Sequence, residues 1–192
     1  MTRELPPITR RRFLAGAAAA CATAALGCRA EAKSERSRAP RSAKVAIERF
    51  SAKGESEGVE DLARVVKTET EWRAQLSELA FEVTREAGTE RAGTGEYAEH
   101  HGDGLYRCVC CDTALFDSRT KYDSGTGWPS FWQPISRANV VELEDAGLGM
   151  LRVAVECARC DSHLGHVFRD GPKPTGLRYC MNSVALRFVA RA

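Results

Sequence analysis

Four of the eight cysteines form two pairs with the same spacing, Cys108-x-x-Cys111 and Cys157-x-x-Cys160. A two-residue spacer lets both sulfurs of a turn face one point, and two such turns supply the four thiolates that a tetrahedral zinc ion prefers. An aspartate and then a hydroxyl residue follow each pair. The long stretch between the pairs exceeds a compact zinc-ribbon loop, so the metal would join distant parts of the chain. The spacing therefore predicts a structural zinc site made of four cysteines.

Other chemistries are open to the same residues. In an exported protein the pairs could form disulfides, or one pair could be the redox Cys-x-x-Cys of a thiol–disulfide oxidoreductase. His163 and His166 could complete a Cys2His2 zinc site with the second pair, although the first pair would then have no role. Cys110 lies inside the first pair and is treated as a spare thiol. Two pairs of equal spacing in one small domain favour the four-cysteine site.

Cys180 lies outside both pairs, in the strand-like run Gly176–Leu186. A single cysteine on a strand is usually a small buried apolar side chain, so its type alone does not indicate reactivity. Asn182, two residues later, could serve a turn, and Trp128, which precedes a proline, could belong to the core. The surroundings of Cys180 therefore decide between packing and chemistry.

Helical signals come early in the folded part and strand signals follow. Thr68 and Glu71 have the spacing of a capping box at a helix start, and Gly88 is a plausible stop. Between them an apolar stripe at helical spacing is formed by Trp72, Leu76 and Leu79. Short alternating runs then predict strands at Leu105–Cys108, Val140–Leu143, Leu151–Glu156, His166–Phe168, Leu177–Cys180 and Ala185–Val189. The pattern predicts a mainly β domain with helices at its N-terminal edge.

The N-terminal part of the chain is predicted to be an export signal over residues 1–28. Thr9–Leu14 resembles the twin-arginine pattern, and the apolar stretch Phe13–Gly27 suits a signal better than a membrane span. Ala25–Cys28 resembles a lipoprotein cleavage box, so Cys28 is a candidate for a lipid anchor; a conventional cut near Ala30 or Ala32 is the alternative. The expected location is the periplasm or cell envelope.

The remainder divides into a tether and one domain. Residues 29–60 are rich in small and charged residues, which predicts a disordered tether, and residues 61–192 have the length of a single domain. The formal net charge of +2 comes mainly from the N-terminal part and indicates no nucleic-acid partner.

Three further stretches carry a family resemblance: Tyr122–Phe131, Cys160–Phe168 and Arg178–Ser183. With the two cysteine pairs, they closely resemble the B-type methionine sulfoxide reductases, which reduce the R epimer of methionine sulfoxide. The resemblance runs from about Val66 to Phe188. It implies a fold of two coiled antiparallel β-sheets with short N-terminal helices, clipped by zinc on the four paired cysteines, and a monomer.

The resemblance also implies roles for single residues. Cys180 would be the nucleophile and Trp128 would line a pocket for the substrate methyl group. His163, His166 and Asn182 would surround the sulfoxide, with Phe168 beside them. Because oxide is a poor leaving group, an acid has to protonate the sulfoxide oxygen while a thiolate attacks sulfur. Either histidine could be that acid.

The resemblance has one departure. Many family members carry a second cysteine where this chain has Thr126, and that cysteine forms a disulfide with the oxidised nucleophile. Here an external reductant, thioredoxin-like or a small thiol, is expected to reduce the Cys180 sulfenic acid; Cys110 is the internal alternative. The rival function is a non-catalytic zinc-ribbon module that binds a partner.

Overall fold

The computed structural model describes residues 42–145 and 152–192. The predicted export signal, the candidate lipid site Cys28 and the first part of the predicted tether lie outside these residues. In the described part of the chain, no helix is long and apolar enough to cross a membrane.

The fold is mainly β, as predicted. The described strands pair antiparallel in three sheets. The first is a hairpin of β1 (Lys44–Phe50) and β2 (Ser56–Ala63). The second has three strands in the order β11–β3–β4, with β3 at Gly104–Cys108, β4 at Ala114–Asp117 and β11 at Leu186–Ala190. The third has the order β5–β6–β10–β9–β8–β7, with strands Lys121–Tyr122, Ser130–Phe131, Arg178–Met181, His163–Phe168, Arg152–Cys157 and Val140–Asp145. Each of the six predicted strands overlaps one of these.

The helical region differs from its prediction in one respect. Thr68 caps α1 (Glu69–Gln75) with the capping box that the sequence predicts. The helix then ends, because Leu76 adopts an extended conformation and the Ser77 side chain caps a second helix, α2 (Glu78–Glu86). Trp72 and Leu76 are buried, but Leu79 is 42% exposed and does not continue their stripe. The predicted short helices at the N-terminal edge are therefore present, and a break at Leu76 and Ser77 divides the stretch between the predicted start at Thr68 and the predicted stop at Gly88.

The structure also corrects the tether predicted over residues 29–60. Its described part forms β1 and most of β2, so this segment is ordered. Ile47 is buried against the domain, and the Asn139 side chain bonds both backbone groups of Glu48. One apolar anchor and main-chain pairing are enough to order a hairpin whose composition is otherwise polar.

The core joins the two larger sheets. The Phe116 ring of β4 stacks on the Phe131 ring of β6 at 4.4 Å, and Tyr106 and Tyr179 contact these rings edge-on or tilted. All four side chains are fully buried. α2 packs against β9 and against the 3-10 turn Ser183–Ala185. The strand that carries Cys180 is therefore held from the core side.

The registers of the largest sheet place several polar side chains in one row. Cys180 of β10 lies opposite Ser130 of β6 on one side and opposite His166 of β9 on the other. Directly opposite residues of an antiparallel sheet present their side chains on the same face. The fold thus brings together a cysteine, a serine and a histidine that are far apart in the sequence.

Candidate active site

A cavity of about 130 Å³ opens over this row. Five of the six predicted active-site residues line it: Trp128, His166, Phe168, Cys180 and Asn182. Thr89, Arg152, Gly165 and Met181 complete its wall. The sixth, His163, is not in the wall. The apolar side is thus an indole and a phenyl ring, and the polar side is a thiol, an imidazole and an amide.

Cys180 is half-buried at the cavity, and a chain of hydroxyl groups leads away from its sulfur. Its Sγ lies 3.9 Å from Thr126 Oγ1. Thr126 Oγ1 in turn lies 2.8 Å from Ser124 Oγ, which is 2.7 Å from Ser130 Oγ. Burial raises the pKa of the Cys180 thiol, and the Thr126 hydroxyl and the Arg178 charge oppose this rise only in part. At neutral pH the thiol therefore keeps its proton until substrate or a neighbour takes it.

This environment predicts how Cys180 reacts with an alkylating agent. The iodoacetamide rate at Cys180, followed by peptide mass spectrometry across pH, should rise with a midpoint above the ordinary thiol value of about 8.5. Thr126→Val should move the midpoint higher still, because it removes a hydroxyl that stabilises the thiolate. Thr126→Ser, which keeps the hydroxyl, is the control. A midpoint below that of a free thiol would contradict this description of the site.

His166 is held by a buried carboxylate. Its Nε2 lies 3.1 Å from Asp145 Oδ2, and an Arg152 Nη2 lies 3.2 Å from the same oxygen. Asp145 is 8% exposed. A carboxylate on one ring nitrogen fixes the orientation of an imidazole and stabilises its cationic form when a proton arrives. The sequence reasoning missed Asp145 and Arg152, whose signal was a pair of opposite charges at the facing ends of β7 and β8.

His163 lies behind His166. Its side chain is 5% exposed, and the two rings meet edge-on with centroids 5.3 Å apart. Of the two histidines considered for the acid, only His166 lines the cavity. His163 can support the position of the His166 ring, but it is not placed to reach the cavity itself.

The amide of Asn182 is engaged by the backbone. Its Oδ1 accepts a hydrogen bond of 3.0 Å from Glu90 N, and its Nδ2 donates one of 3.1 Å to Leu164 O. The Trp128 indole donates from Nε1 to Glu90 O at 3.1 Å. One residue, Glu90, therefore fixes two walls of the cavity through its own backbone.

The paired cysteines form two turns of the same design. Cys108 accepts at its carbonyl from Asp112 N, and Cys157 accepts in the same way from Asp161 N. Both aspartates adopt left-handed backbone conformations, with φ of 64° and 57°. Asp tolerates this region better than most residues, which explains why it follows each pair. The repeated Cys-Asp-hydroxyl pattern of the sequence is thus one local structure used twice.

The two turns bring their four sulfurs together. All four Sγ atoms lie within 4.8 Å of one another, with 3.6 Å between Cys108 and Cys160 and 3.5 Å between Cys111 and Cys157. These distances exclude disulfides, whose sulfurs are about 2.0 Å apart. A tetrahedral zinc ion with bonds of about 2.3 Å holds its sulfurs about 3.8 Å apart. The cluster therefore fits a metal ion of that size.

Comparison with known proteins agrees with this geometry. The SelR domain model matches residues 76–190. The chain belongs to the SelR domain family. Proteins named peptide methionine sulfoxide reductase MsrB are similar: that of Synechococcus sp. (strain RCC307) is 55% identical over 124 residues, covering 65% of this chain and 91% of the relative. Those of Pseudomonas aeruginosa (strain UCBPP-PA14) and Methylibium petroleiphilum are 54% and 56% identical, and cover 68% and 67% of this chain and 98% and 93% of theirs.

Within this SelR domain, Gly165 permits the close approach of β9 to β10. A Cβ atom at this position would overlap the Cys180 carbonyl oxygen and would lie 2.9 Å from Met181 Cα. Both contacts are with backbone, which cannot move aside without separating β9 from β10. Only glycine fits here, and its place beside His166 keeps the imidazole next to the Cys180 strand.

Glu90 is the main residue of the SelR site that the sequence reasoning missed. Its side chain is buried, and its two carboxylate oxygens accept hydrogen bonds of 2.6 Å from Ser183 N and 3.0 Å from Val184 N. These N–H groups begin the 3-10 turn that follows Cys180 and Asn182. A glutamate in a loop gives no signal of this role, because its partners are backbone groups more than 90 residues away.

We expect Glu90→Gln to impair both substrate binding and stability. The amide nitrogen of Gln cannot accept from a backbone N–H, so one buried, charge-assisted hydrogen bond is lost, at about 1.5–3 kcal/mol. The KM for methionine sulfoxide should rise because Trp128 is anchored on the Glu90 carbonyl. Urea unfolding and steady-state kinetics measure the two effects. The exposed Glu82→Gln is the control, and an unchanged KM with full stability would contradict the role assigned to Glu90.

Cys110 lies beside the second cysteine turn and not in the wall of the cavity. It is buried, and its Sγ lies 3.6 Å from Ser162 Oγ, next to the second cysteine turn. Cys180 contacts Thr126 instead. The two thiols therefore belong to separate sets of contacts in the SelR domain.

Proposed function

We propose that this chain reduces the R epimer of methionine sulfoxide in oxidised proteins to methionine, with Cys180 as the nucleophile. The observation that carries this is the match of 54–56% identity to MsrB reductases over nearly their whole length. The cavity that brings Cys180, His166 and Trp128 together agrees with it. The family match disfavours the rival reading of a zinc-ribbon module without activity.

In the proposed reaction the Cys180 sulfur attacks the sulfoxide sulfur while His166 protonates the oxygen. A bond forms between the two sulfurs as the sulfur–oxygen bond of the substrate breaks, and the oxygen leaves as water with the thiol proton and the proton from His166. Water then attacks the Cys180 sulfur, the sulfur–sulfur bond breaks, and methionine leaves with that bonding pair. One proton of the attacking water returns to His166, so one thiol and one sulfoxide become one sulfenic acid and one thioether.

Among the two histidines, His166 is the acid that we propose. It lines the cavity, lies opposite Cys180 in the sheet and has its Nε2 fixed by Asp145. A positioned imidazole can both give a proton to the oxygen and take one from the thiol, since its ordinary pKa lies near neutrality. His163 supports the ring from behind.

The walls of the cavity account for stereochemical selection. Trp128 and Phe168 offer the substrate methyl group an apolar surface, while His166 and Asn182 lie at the polar side. The sulfoxide sulfur carries four different groups, counting its lone pair. A methyl group on the apolar wall, an oxygen at the polar side and the rest of the side chain leading out of the cavity therefore fit one epimer only. The match to the MsrB reductases supports the R epimer as that one.

The assay uses the two epimers of dabsyl-methionine sulfoxide with dithiothreitol as reductant. The R epimer should be reduced to dabsyl-methionine, and the S epimer should remain unreduced. Failure to reduce either epimer would overturn the proposed function, and reduction of the S epimer alone would overturn the assignment of the two walls.

Turnover requires that the sulfenic acid be reduced. We infer that an external thiol does this, either a thioredoxin-like protein or a small thiol, because Thr126 stands near Cys180 and Cys110 contacts Ser162 instead. Peptide mapping after a single turnover without reductant should find Cys180 as sulfenic acid, trapped by dimedone. A Cys110–Cys180 disulfide in that sample would refute external reduction.

The four-cysteine cluster is proposed to hold one structural zinc ion. Cys108, Cys111, Cys157 and Cys160 would be the ligands, and the separations of their sulfurs support this. The ion would take no part in the redox chemistry, because it is bound by four thiolates and has no open position. Metal analysis of the purified protein should give one zinc per chain.

Export is a further part of the proposal, and it rests on residues 1–28 of the sequence alone. A twin-arginine route exports folded protein, so zinc could load in the cytoplasm before the thiols meet an oxidising compartment. Arg10→Lys with Arg11→Lys should retain the protein in the cytoplasm, and unaltered export would refute this. Mass spectrometry of the mature N-terminus would show whether Cys28 carries a lipid. A lipid at Cys28 would anchor the protein, which is expected to be a monomer, at the membrane surface.

A further inference from the structure

The hairpin that precedes the SelR domain packs on the cysteine turns. Here the N-terminal hairpin means residues 44–65, which contain β1, β2 and the two residues after β2. The SelR match begins at residue 76, so this segment lies outside it. Its contacts therefore belong to what this chain adds to the family domain.

The two residues after β2 form hydrogen bonds with the second cysteine turn. Arg64 donates from Nη1 to Ala158 O at 2.9 Å and to Asp161 Oδ1 at 3.0 Å. Val65 N donates to Arg159 O at 3.0 Å. The Arg64 side chain is only 14% exposed, so its ion pair with Asp161 is shielded from solvent. Three of its hydrogen bonds thus fix the segment between and just after Cys157 and Cys160.

The first strand of the hairpin is tied to the first cysteine turn. Arg107 Nη2 donates to Phe50 O at 3.0 Å, and its Nη1 donates to Asp112 O at 3.2 Å. Asn139, which is fully buried, bonds the backbone of Glu48 through its side chain. The backbone oxygen of Asn139 accepts from the second cysteine turn. The hairpin therefore connects the two turns that come from different sheets.

The hairpin also covers the most accessible ligand. Cys108, Cys157 and Cys160 are at most 3% exposed, whereas Cys111 is only partly buried. Cys111 opens into a cavity of about 340 Å³ whose opposite wall is the hairpin, with the apolar side chains Ile47, Phe50 and Leu62. A chelator that approaches the cluster through Cys111 has to enter under this hairpin.

We propose that the N-terminal hairpin is a retention lid for the metal, which slows the loss of zinc from the four cysteines. This inference rests on the proposed zinc site. The lid acts in two ways: it shields Cys111, and it holds together the two turns that have to separate before the ion leaves. A zinc ion in an exported enzyme meets competing ligands and oxidants, and a slow release preserves the folded domain.

The test measures transfer of zinc to the chromogenic chelator 4-(2-pyridylazo)resorcinol from the zinc-loaded full chain. Arg64→Ala removes the charge-assisted hydrogen bonds to Ala158 and Asp161 in the second turn. The rate of zinc release should therefore rise about tenfold. Lys44→Ala is the matched control, since this exposed basic residue of β1 is not among the residues that line the cavity over Cys111. Its release rate should equal that of the unaltered chain.

A second variant, Ile47→Ala, loosens the packing of the hairpin without touching a hydrogen bond to either turn, and it should also release zinc faster. Equal rates in Arg64→Ala, Ile47→Ala, Lys44→Ala and the unaltered chain would overturn the lid. A chain that takes up no zinc would overturn the lid together with the zinc site. The reductase assay on the loaded variants, run before chelation, should give unaltered rates, and it reports on the catalytic proposal separately.

Discussion

Cys180→Ser is expected to abolish the reduction of methionine-R-sulfoxide, with kcat/KM lowered by about 10⁴-fold or more. A serine hydroxyl is isosteric with the thiol but holds its proton far more tightly and is a poorer nucleophile toward sulfur. It also cannot form the sulfenic acid that receives the substrate oxygen. The measurement is the dabsyl-methionine assay with dithiothreitol, combined with dimedone labelling of the oxidised protein.

The matched control for this variant is Cys110→Ala, which removes the other thiol of the described residues that is not among the four proposed zinc ligands. Its contact is with Ser162 rather than with the cavity, so activity with dithiothreitol should stay within about threefold of the unaltered chain. Loss of activity in Cys110→Ala together with retained activity in Cys180→Ser would show that the wrong sulfur has been assigned. The same two variants therefore test the nucleophile and the role of the spare thiol.

The cysteine pattern predicted more than any other part of the sequence. Equal spacing in two pairs, each followed by aspartate and a hydroxyl residue, indicated one turn used twice, and the structure contains two such turns. This succeeded because the information is local: a turn of this kind depends on a few consecutive residues. The capping box at Thr68 is local in the same way and was also confirmed.

Other parts of the site could not be predicted because their information is tertiary. Glu90 acts on backbone groups far away in the sequence, and Asp145 meets His166 only because β7, β8 and β9 are neighbours. The choice between His163 and His166 depends on the register of β9 against β10, which no local pattern sets. The break between α1 and α2 was missed because the apolar spacing continued past Ser77, while its capping side chain ended the first helix.

The hairpin shows why composition alone misjudged the segment before the domain. Its strands are mostly exposed and polar, which is the composition of a tether. Order comes instead from a few contacts with the domain, chiefly buried Ile47 and the Asn139 side chain on the Glu48 backbone. Such contacts are invisible until both partners are placed.

The second large effect concerns the four-cysteine cluster, where Cys157→Ser should destabilise the whole domain. Cys108 ends β3 in the three-stranded sheet and Cys157 ends β8 in the six-stranded sheet. An ion bound by both turns therefore clips the two sheets together. Loss of a metal site is among the changes that lower the free energy of unfolding by about 4 kcal/mol or more. For a domain of this size, such a loss lowers the Tm by on the order of 8–16 °C.

Zinc content, determined by metal analysis, and Tm, followed by circular dichroism, should fall together in Cys157→Ser. Cys110→Ala, a neighbouring buried thiol outside the ligand set, should keep one zinc per chain and a Tm within a few degrees of the unaltered protein. Chelation of the unaltered chain should reproduce the instability of Cys157→Ser, and adding zinc back should rescue the unaltered chain but not the variant. If Cys157→Ser instead retained both its zinc and its Tm, the cluster would not be what joins the sheets, and their cohesion would have to come from the aromatic core between Phe116 and Phe131 alone.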